Sequence, residues 1–587
     1  MQKSVTTSPE LTVRGKPVRP WLVLISVIFG FFMALLDATI VNIAIPTIQT
    51  DLKSDLTTVS WVLDAYNLVF AVLLVTVGRF ADQYGRKRLF MIGMVVFSIG
   101  SLLCALSQTI GAATGIPGIN WLIGFRAFQA IGAAGLNPIS LAIIMSVFPR
   151  EKRGAAIGVW GALSGLAAAA GPVIGGFLVE NLDWRYIFFV NLPFCVVGLI
   201  MVALFVPETR DMRVSKHIDI PGIVTLSVGI FCLVLAIIEG NDWGWTSLLT
   251  LGLFVVTVIL LIVFALVERK QLEPIIDFSL FKAASFTGAN VTIFLFGIAS
   301  QGAFLMLTLY FIDARGYDEI HAAYAVLPIP LASFVVSAIA GRFSGKLNPH
   351  IMGLLGMILI VVSFILLCFM GADAAYVDIA WRSVFFGVGM GLLFQSQPTI
   401  ALSEVPPSKY GVGSGVFNTF RQVGFTLGIA VLISVFTARI TPNLQQAVNT
   451  SVAQVQASSQ LPPQMKSGIV SGLQQAVQNS TVSEAGSSGS SSTNFDLTKL
   501  AAQLPPQTPA PEKTAITNTL SSLNGVINNA FMIQVVATFK STWWVSAGLS
   551  LLGVISALVA FIVHRPRAKV QGQQEDNAAE IAHASLG

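Results

Sequence analysis

The sequence predicts an all-α integral membrane protein with fourteen transmembrane helices and both termini in the cytoplasm. Three observations support this fold class. Of the 587 residues, 54% are hydrophobic and 11% are charged, whereas soluble domains carry about 25% charged residues. Fourteen apolar runs are long enough to cross a bilayer, which takes about 20 residues. Basic residues are concentrated in every second loop, as the positive-inside rule requires.

This composition excludes an ordinary cytosolic enzyme and a disordered or fibrous chain. The net charge of +5 does not indicate a nucleic-acid partner, because the basic residues form short clusters between apolar runs. The four cysteines lie inside those runs and the five histidines are far apart, so we expect no disulfide and no metal site. The polar first twenty residues lead into a full-length span, so we expect no cleavable signal peptide.

The predicted spans, numbered 1 to 14 in chain order, are separated mostly by short polar loops. They cover residues 21–48, 58–80, 88–108, 119–146, 154–179, 184–206, 219–239, 247–267, 285–311, 321–342, 350–370, 379–402, 411–437 and 542–563. With the N-terminus inside, the inner segments hold 23 Lys and Arg residues, and the short outer loops hold four. This asymmetry predicts two cytoplasmic termini and no missing span.

An internal repeat indicates two similar halves. Gly78-Arg79-Phe80 follows span 2, and Gly341-Arg342-Phe343 follows span 10. An offset of eight spans fits two six-helix halves with spans 7 and 8 inserted between them, and many secondary transporters are built from such halves. The predicted division is a cytoplasmic tail at 1–20, a six-helix bundle at 21–206, a linker with two extra helices at 207–284, five helices of the second bundle at 285–437, a polar outer loop at 438–541, the last span at 542–563 and a cytoplasmic tail at 564–587.

The predicted outer loop is rich in Ser, Gln, Asn, Pro and Thr. Weak helical amphipathicity recurs at 444–456, 465–477 and 527–539, and the Gly-Ser run at 486–492 is typical of a linker. We expect a partly helical and partly disordered segment. A tolerated insertion is the simpler interpretation, and a lid or a docking site for a partner is the alternative.

Four segments of the first half carry recognisable motifs. They are 36–46 (Leu-Asp-Ala-Thr-Ile-Val-Asn-Ile-Ala-Ile-Pro), 78–88 (Gly-Arg-Phe-Ala-Asp-Gln-Tyr-Gly-Arg-Lys-Arg), 126–134 (Arg-Ala-Phe-Gln-Ala-Ile-Gly-Ala-Ala) and 171–176 (Gly-Pro-Val-Ile-Gly-Gly). On these segments the chain resembles the major facilitator superfamily, and within it the 14-span drug:proton antiporters. The resemblance covers nearly the whole chain apart from the outer loop. Two positions depart from the family pattern: Ala130 replaces a glycine, and Gly345 stands where the first half has Asp82.

The resemblance implies a major facilitator fold of two pseudo-symmetric six-helix bundles. It also implies a secondary exporter that is driven by the proton gradient without a cofactor and moves amphipathic, cationic drugs across the cytoplasmic membrane by alternating access. The expected partners are the small-molecule cargo and the lipid bilayer. Some members of this branch work with a periplasmic adaptor protein, and the sequence leaves that question open.

Other functions fit less well. An exporter of an endogenous lipid, siderophore or other metabolite would use the same coupling site and is the main alternative. An ATP-driven pump is excluded because the chain has no Gly-x4-Gly-Lys-Ser/Thr motif. A membrane-embedded enzyme is disfavoured because no nucleophile or metal ligand accompanies the charged residues in the spans.

Asp37, Asp64 and Arg126 are the predicted proton-coupling residues. Each lies inside an apolar run, where a charge is costly and marks a functional site by default. A rise of 1.5 Å per residue puts all three at a similar depth, roughly 8–10 Å below the outer surface. We therefore expect one cluster whose proton affinity changes with burial and with the nearby arginine. A static ion pair that only holds helices together is the alternative.

The predicted gating loop comprises Gly78, Asp82, Gly85, Arg86 and Lys87. Asp82 can pair with Arg86 or with the N-terminus of a facing helix. The resemblance implies that this facing helix is the one that begins near Gly411 and that the contact closes the inner gate. The basic residues could also act only as a topology signal.

A glycine-rich segment of span 5 resembles the antiporter motif. It consists of Gly171, Pro172, Gly175 and Gly176. Close helix packing explains small residues equally well, so the functional and structural interpretations both stay open.

The spans of the second half carry polar rather than acidic residues. Asn418, Arg421 and Gln422 share one helical face, and together with aromatic side chains they predict a roomy pocket for amphipathic molecules. The predicted substrate-binding residues are Trp61, Tyr66, Asn67, Gln129, Gln301, Phe304, Phe394, Gln395, Asn418, Arg421 and Gln422.

Overall fold

The computed structural model describes residues 12–13, 15–209, 219–271, 274–480, 496–497, 499 and 509–584. Within these ranges the chain is almost entirely helical, and fourteen helices are long and apolar enough to cross a membrane. The predicted all-α membrane fold with fourteen spans is therefore confirmed. We call the side that holds most of the basic loops the inner side, and the opposite side the outer side.

The first half and the inserted pair account for spans 1 to 8. Their helices are Pro20–Asp51, Leu56–Tyr84, Arg86–Ala105, Ser107–Thr114, Gly118–Val147, Arg150–Asn181, Tyr186–Phe189, Asn191–Phe205, Ile220–Trp243 and Leu248–Glu268. The helices Ile220–Trp243 and Leu248–Glu268 are spans 7 and 8, and they pack on each other. Ahead of span 1, the strands Thr12–Val13 and Lys16–Pro17 pair in an antiparallel hairpin.

The second half contains spans 9 to 14. Its α-helices are Ala284–Leu309, Glu319–Val326, Pro328–Phe343, Pro349–Cys368, Tyr376–Ser403, Tyr410–Ala457, Pro463–Ser480 and Ala510–Ala584. A π-helical turn at Tyr310–Ala314 continues span 9, and 3-10 turns at Phe278–Lys282 and Pro407–Lys409 precede spans 9 and 13.

The outer segment is more helical than the sequence predicts. Span 13 does not end near residue 437 but continues as one helix to Ala457, and the helix of span 14 begins at Ala510 rather than near 542. Val455, Leu473 and Leu520 of this region are buried. Weakly amphipathic helices are stable here because they bury their apolar faces against each other. The Gly-Ser run at 486–492 lies outside the described residues.

Glycines allow the two halves to approach each other closely. Span 5 packs on span 10, where a Cβ on Gly158 would collide with the Cα of Gly341. Span 2 packs on span 13, where a Cβ on Gly78 or Gly411 would collide with the carbonyl oxygen of the other. Ser337 Oγ donates a hydrogen bond to the Gly158 carbonyl at 3.0 Å. Small residues at such contacts let helices associate by van der Waals packing, which a membrane requires in place of the hydrophobic effect.

Gly158→Val should therefore destabilise the contact between the halves. Forcing atoms into a packed site costs about 1–3 kcal/mol, so we expect a lower midpoint of thermal unfolding in detergent. Gly124→Val is the matched control, because a Cβ on Gly124 meets no atom within 4 Å. Equal midpoints for the two variants would show that the close approach does not matter.

Candidate functional site

Asp37 lies in the outer half of span 1, and its carboxylate is fully buried and fully paired. Its Oδ2 accepts a hydrogen bond from Arg126 Nη1 at 2.5 Å. Its Oδ1 accepts hydrogen bonds from Gln129 Nε2 and Asn191 Nδ2, each at 2.9 Å. Spans 1, 4 and 6 thus meet around one negative charge. We call Asp37, Arg126, Gln129 and Asn191 the acid–arginine cluster.

Arg126 is held by contacts on several sides. Its Nε donates to the backbone carbonyl of Val62 at 3.1 Å, and its Nη1 also donates to Gln129 Oε1 at 2.8 Å. The guanidinium carbon lies 4.1 Å from the centroid of the Tyr66 ring, a cation–π contact. Its Nη2 is buried without a hydrogen-bond partner. This N–H group can donate a hydrogen bond to a new partner when the charge of Asp37 changes.

Asn191 is a member of the cluster that sequence reasoning missed. Its Nδ2 also donates to Ser101 Oγ at 2.9 Å, and Ser101 in turn donates to the Phe188 carbonyl at 2.9 Å. These bonds fix the side chain beside Asp37. An amide within the apolar run of span 6 is the signal that could have revealed it, since buried polar groups in a membrane need partners.

The structure separates Asp64 from this cluster, which corrects the sequence prediction. The charges that act on Asp64 come from Glu239 and Asp242, near the outer end of span 7. Val62 and Tyr66 of span 2 face Arg126, and residues two apart on a helix point about 200° away from each other. Asp64, which lies between them in sequence, therefore faces span 7. The prediction counted depth alone, whereas the helical face directs Asp64 away from the cluster.

The predicted gating loop closes against span 13. Asp82 accepts hydrogen bonds from the backbone N–H groups of Gly411 and Val412, each at 2.9 Å. Arg86 Nη2 donates to Asp82 Oδ1 at 2.7 Å and to the Pro407 carbonyl at 2.6 Å. Both partners proposed for Asp82 are present together. A carboxylate at a helix N-terminus is electrostatically favourable, and this contact joins span 2 to the start of span 13 at the inner side.

A surface ion pair supports the start of span 13. Lys409 Nζ donates to Asp277 Oδ2 at 2.5 Å. Burial raises the pKa of Asp277, but the hydrogen bonds from Lys409 and Ser279 outweigh it and lower the pKa to about 2. Asp277 therefore stays ionised at physiological pH, and the pair persists beside the gate.

The rest of the gating loop is attached to the end of span 6. Gly85 ends span 2 with a φ of 110°, which side-chain-bearing residues rarely adopt. Glu208 accepts hydrogen bonds from the backbone N–H groups of Lys87 and Arg88 at 3.1 and 3.2 Å. Lys87 Nζ donates to the Ala203 carbonyl at 3.0 Å. These contacts hold the loop in place beneath the gate.

The glycine-rich segment of span 5 packs directly on span 1. A Cβ on Gly171 would collide with Thr39 Oγ1, and one on Gly175 would lie 2.9 Å from Ile40 Cγ1. Gly176 has more room, with Ile320 of span 10 at 3.9 Å, and Pro172 is half-buried. The close-packing interpretation is thus borne out by the geometry, and the packed helix is the one that carries Asp37.

The predicted substrate residues take part in several different contacts. Gln129 belongs to the acid–arginine cluster, and the Tyr66 ring packs on Arg126 of that cluster. Gln395 Nε2 donates to the Gly154 carbonyl at 3.4 Å, which places it in the closed inner contact and corrects its assignment to the cavity. Phe394 packs edge-to-face on Phe296, with ring centroids 5.9 Å apart. Asn418 and Arg421 are buried. The half-buried members are Trp61, Asn67, Gln301, Phe304 and Gln422.

Two helical halves, a buried acid–arginine cluster and an inner gate together define a multi-pass membrane transporter. Residues 27–429 match the family model of the Major Facilitator Superfamily, and the chain belongs to this family.

Known proteins similar to the chain include several bacterial transporters. It is 33% identical to multidrug resistance protein 3 of Bacillus subtilis, over 74% of this chain and 83% of that protein. It is 30% identical to the tetracenomycin C resistance and export protein of Streptomyces glaucescens, over 74% and 79% of the two chains. It is 32% identical to the riboflavin transporter RibZ of Clostridioides difficile, over 75% and 93%.

Among solved structures, the human organic anion transporter MFSD10 shares the fold. The TM-score is 0.53 at 14% identity, over 72% of this chain and 94% of that one. At this identity the likeness concerns the fold alone.

Asp82→Asn should open the inner gate more often, because hydrogen bonds to a charged group contribute about 1.5–3 kcal/mol each. Ser414 reports on the gate, since it is buried and donates to the Pro138 carbonyl at 2.7 Å. In inside-out vesicles, Ser414→Cys should react with an impermeant thiol reagent about tenfold faster when Asp82→Asn is also present. The four native cysteines are buried and give a low background.

The matched control is Asp55→Asn, which removes a carboxylate charge at the outer end of the same helix and leaves an amide oxygen that can still cap it. It should leave the labelling rate unchanged. An unchanged rate with Asp82→Asn as well would show that this carboxylate does not hold the gate.

Proposed function

We propose that this chain is a proton-driven antiporter that exports amphipathic organic compounds across the cytoplasmic membrane. The observation that carries the proposal is the acid–arginine cluster, in which one fully buried carboxylate is balanced by one buried arginine. A buried carboxylate in a membrane helix is a default candidate for a proton carrier. The proton gradient is the expected energy source, and no cofactor is required.

Protonation of Asp37 changes the balance of forces within the first half. A neutral Asp37 leaves the Arg126 charge buried without a counterion, and uncompensated buried charges cost roughly 3–5 kcal/mol. A rearrangement of spans 1, 4 and 6 that gives Arg126 a new partner or hydration relieves this cost. Arg126 already contacts span 2 at Val62 and Tyr66, and span 2 carries the gate residue Asp82. The proton and the gate are thereby linked through one helix.

The relatives support the transport of small organic molecules, and one of them is named for export. Two of the similar proteins are named for drug resistance or antibiotic export, and a third is named for riboflavin transport. All three come from bacteria, which supports placement in the cytoplasmic membrane. The expected cargo is a drug-like or other toxic organic compound.

Asp37→Asn should abolish proton-driven export, because asparagine cannot exchange a proton. Energised cells that express the chain are loaded with ethidium or fluorescein, and dye efflux is followed with and without a protonophore. We expect wild-type efflux of at least one dye, which the protonophore abolishes, and background efflux from Asp37→Asn. Asp64→Asn is the matched control and should retain efflux, because Asp64 lies outside the cluster. Undiminished efflux from Asp37→Asn would refute the coupling role.

A further inference from the structure

Arg421 is a buried charge that the proposed function does not use. It lies on span 13, eleven positions after Tyr410, or about 16 Å from the inner end of the helix. That places it near the middle of a hydrocarbon core about 30 Å thick. Its side chain is buried, with 5% of the residue exposed. Within the part of the chain that the structure describes, it forms no ion pair, and its Nε has no hydrogen-bond partner.

The acidic residues on helices packed against span 13 lie toward the membrane surfaces or face elsewhere. Asp82 of span 2 is engaged at the inner gate. Glu239 of span 7 and Asp313 of span 9 lie near the outer ends of their helices. Asp64, also on span 2, faces span 7. Arg126 has an internal counterion in Asp37, but among the described residues Arg421 has no equivalent at its own depth. Such isolation is costly in a membrane unless a partner is supplied from outside the protein.

An aromatic surface lies beside this arginine. The guanidinium carbon is 5.9 Å from the centroid of the Trp160 ring. Trp160 stacks on Phe31 with ring centroids 4.4 Å apart, and its Nε1 donates to Ser140 Oγ at 3.0 Å, so its orientation is fixed. Trp160 belongs to span 5 of the first half. The pair therefore joins the two halves near the midplane, where transporters of this architecture bind their cargo.

A hydrogen-bond acceptor is also unsatisfied nearby. Asn418 lies one helical turn before Arg421, on the same face. Its Nδ2 donates to the Ser414 carbonyl at 2.8 Å, while its Oδ1 is buried without a partner. The site thus presents a charged donor, an aromatic face and a free acceptor.

We propose that Arg421 and Trp160 bind the anionic group and the ring of an amphipathic aromatic anion, the cargo of this transporter. A carboxylate matches the planar fork of a guanidinium, a ring stacks on Trp160, and a hydroxyl or amino group donates to Asn418 Oδ1. This inference rests on the proposed export function. It departs from the cationic cargo implied by the sequence, because the Asp37 carboxylate that would attract a cation is fully paired.

The site is loaded from the cytoplasm when the inner gate opens. Arg421 lies ten positions beyond Gly411, where Asp82 contacts span 13, and Trp160 lies two positions beyond Gly158, where span 5 contacts span 10. Separation of these two contacts exposes Arg421 and Trp160 to the inner side. An exporter must take up its cargo on that side.

The test measures binding of two dyes to purified full-length protein in lipid nanodiscs. Fluorescein and rhodamine 6G share a xanthene ring system, but the first is an anion and the second a cation. We expect wild type to bind fluorescein more tightly than rhodamine 6G. Arg421→Gln should weaken fluorescein binding about 30-fold, as truncation of one member of a buried charge pair does. The fluorescein affinity of Arg421→Lys should lie between those of wild type and Arg421→Gln.

Arg382→Gln is the matched control, because Arg382 also lies over a tryptophan, at 5.0 Å from the Trp381 centroid, but near the start of span 12. It should leave fluorescein affinity unchanged. The inference is overturned by wild type alone if it binds rhodamine 6G more tightly than fluorescein, binds the two dyes equally, or binds neither. Unchanged fluorescein affinity in a folded Arg421→Gln also overturns it.

Failure of the proposed proton coupling can be distinguished from failure of the Arg421 site. Asp37→Asn should bind fluorescein like wild type and lose only its proton-driven export. Loss of fluorescein binding in Asp37→Asn would assign the dye to the acid–arginine cluster and overturn the Arg421 site, whereas intact proton-driven export in that variant contradicts the coupling role alone.

Discussion

The ion pair between Asp37 and Arg126 fixes the arrangement of the first half. In hydrocarbon neither charge is stable alone, so spans 1 and 4 must hold a rotation and depth that bring the two side chains together. Span 2 adds the Val62 carbonyl and the Tyr66 ring, and span 6 adds Asn191. Four helices are thus positioned by one charge balance. A change in that balance has to move helices, because a packed interior does not deform continuously.

Two helices connect this cluster to the closed inner side. Span 2 contacts Arg126 at Tyr66 and span 13 through Asp82, sixteen positions or about 24 Å apart along one helix. Span 5 contacts span 1 at Gly171 and span 10 at Gly158. Near its outer part, span 2 contacts the cluster and span 5 contacts the helix that carries Asp37, and each contacts the second half near its inner part. A rocking motion of one half against the other would transmit a local change at Asp37 to both inner contacts.

Hydropathy and loop charge predict the fourteen spans because the bilayer imposes both the length and the orientation of each helix. The charge of Asp82 predicts a contact with a helix N-terminus, since the two attract each other, and the family resemblance implies that this helix is span 13. Depth along a helix can be counted from the sequence, but the face that a residue presents depends on the rotation of its neighbours. For this reason the sequence groups Asp64 with Arg126, although Asp64 faces span 7, and it does not reveal the places of Asn191 and Trp160.

The two membrane arginines differ in where their counterion comes from, and this difference bears on how the proton and the cargo are coupled. Arg126 finds its partner inside the chain, in the outer half of the membrane. Arg421 lies near the midplane on the other half of the protein, with the Trp160 ring beside its charge and no ion pair among the described residues. A cargo bound at Arg421 would not compete with the proton for Asp37. Coupling then has to pass through the helices between the two sites, and the contacts of spans 2 and 5 with the second half are the places where one site can sense the other.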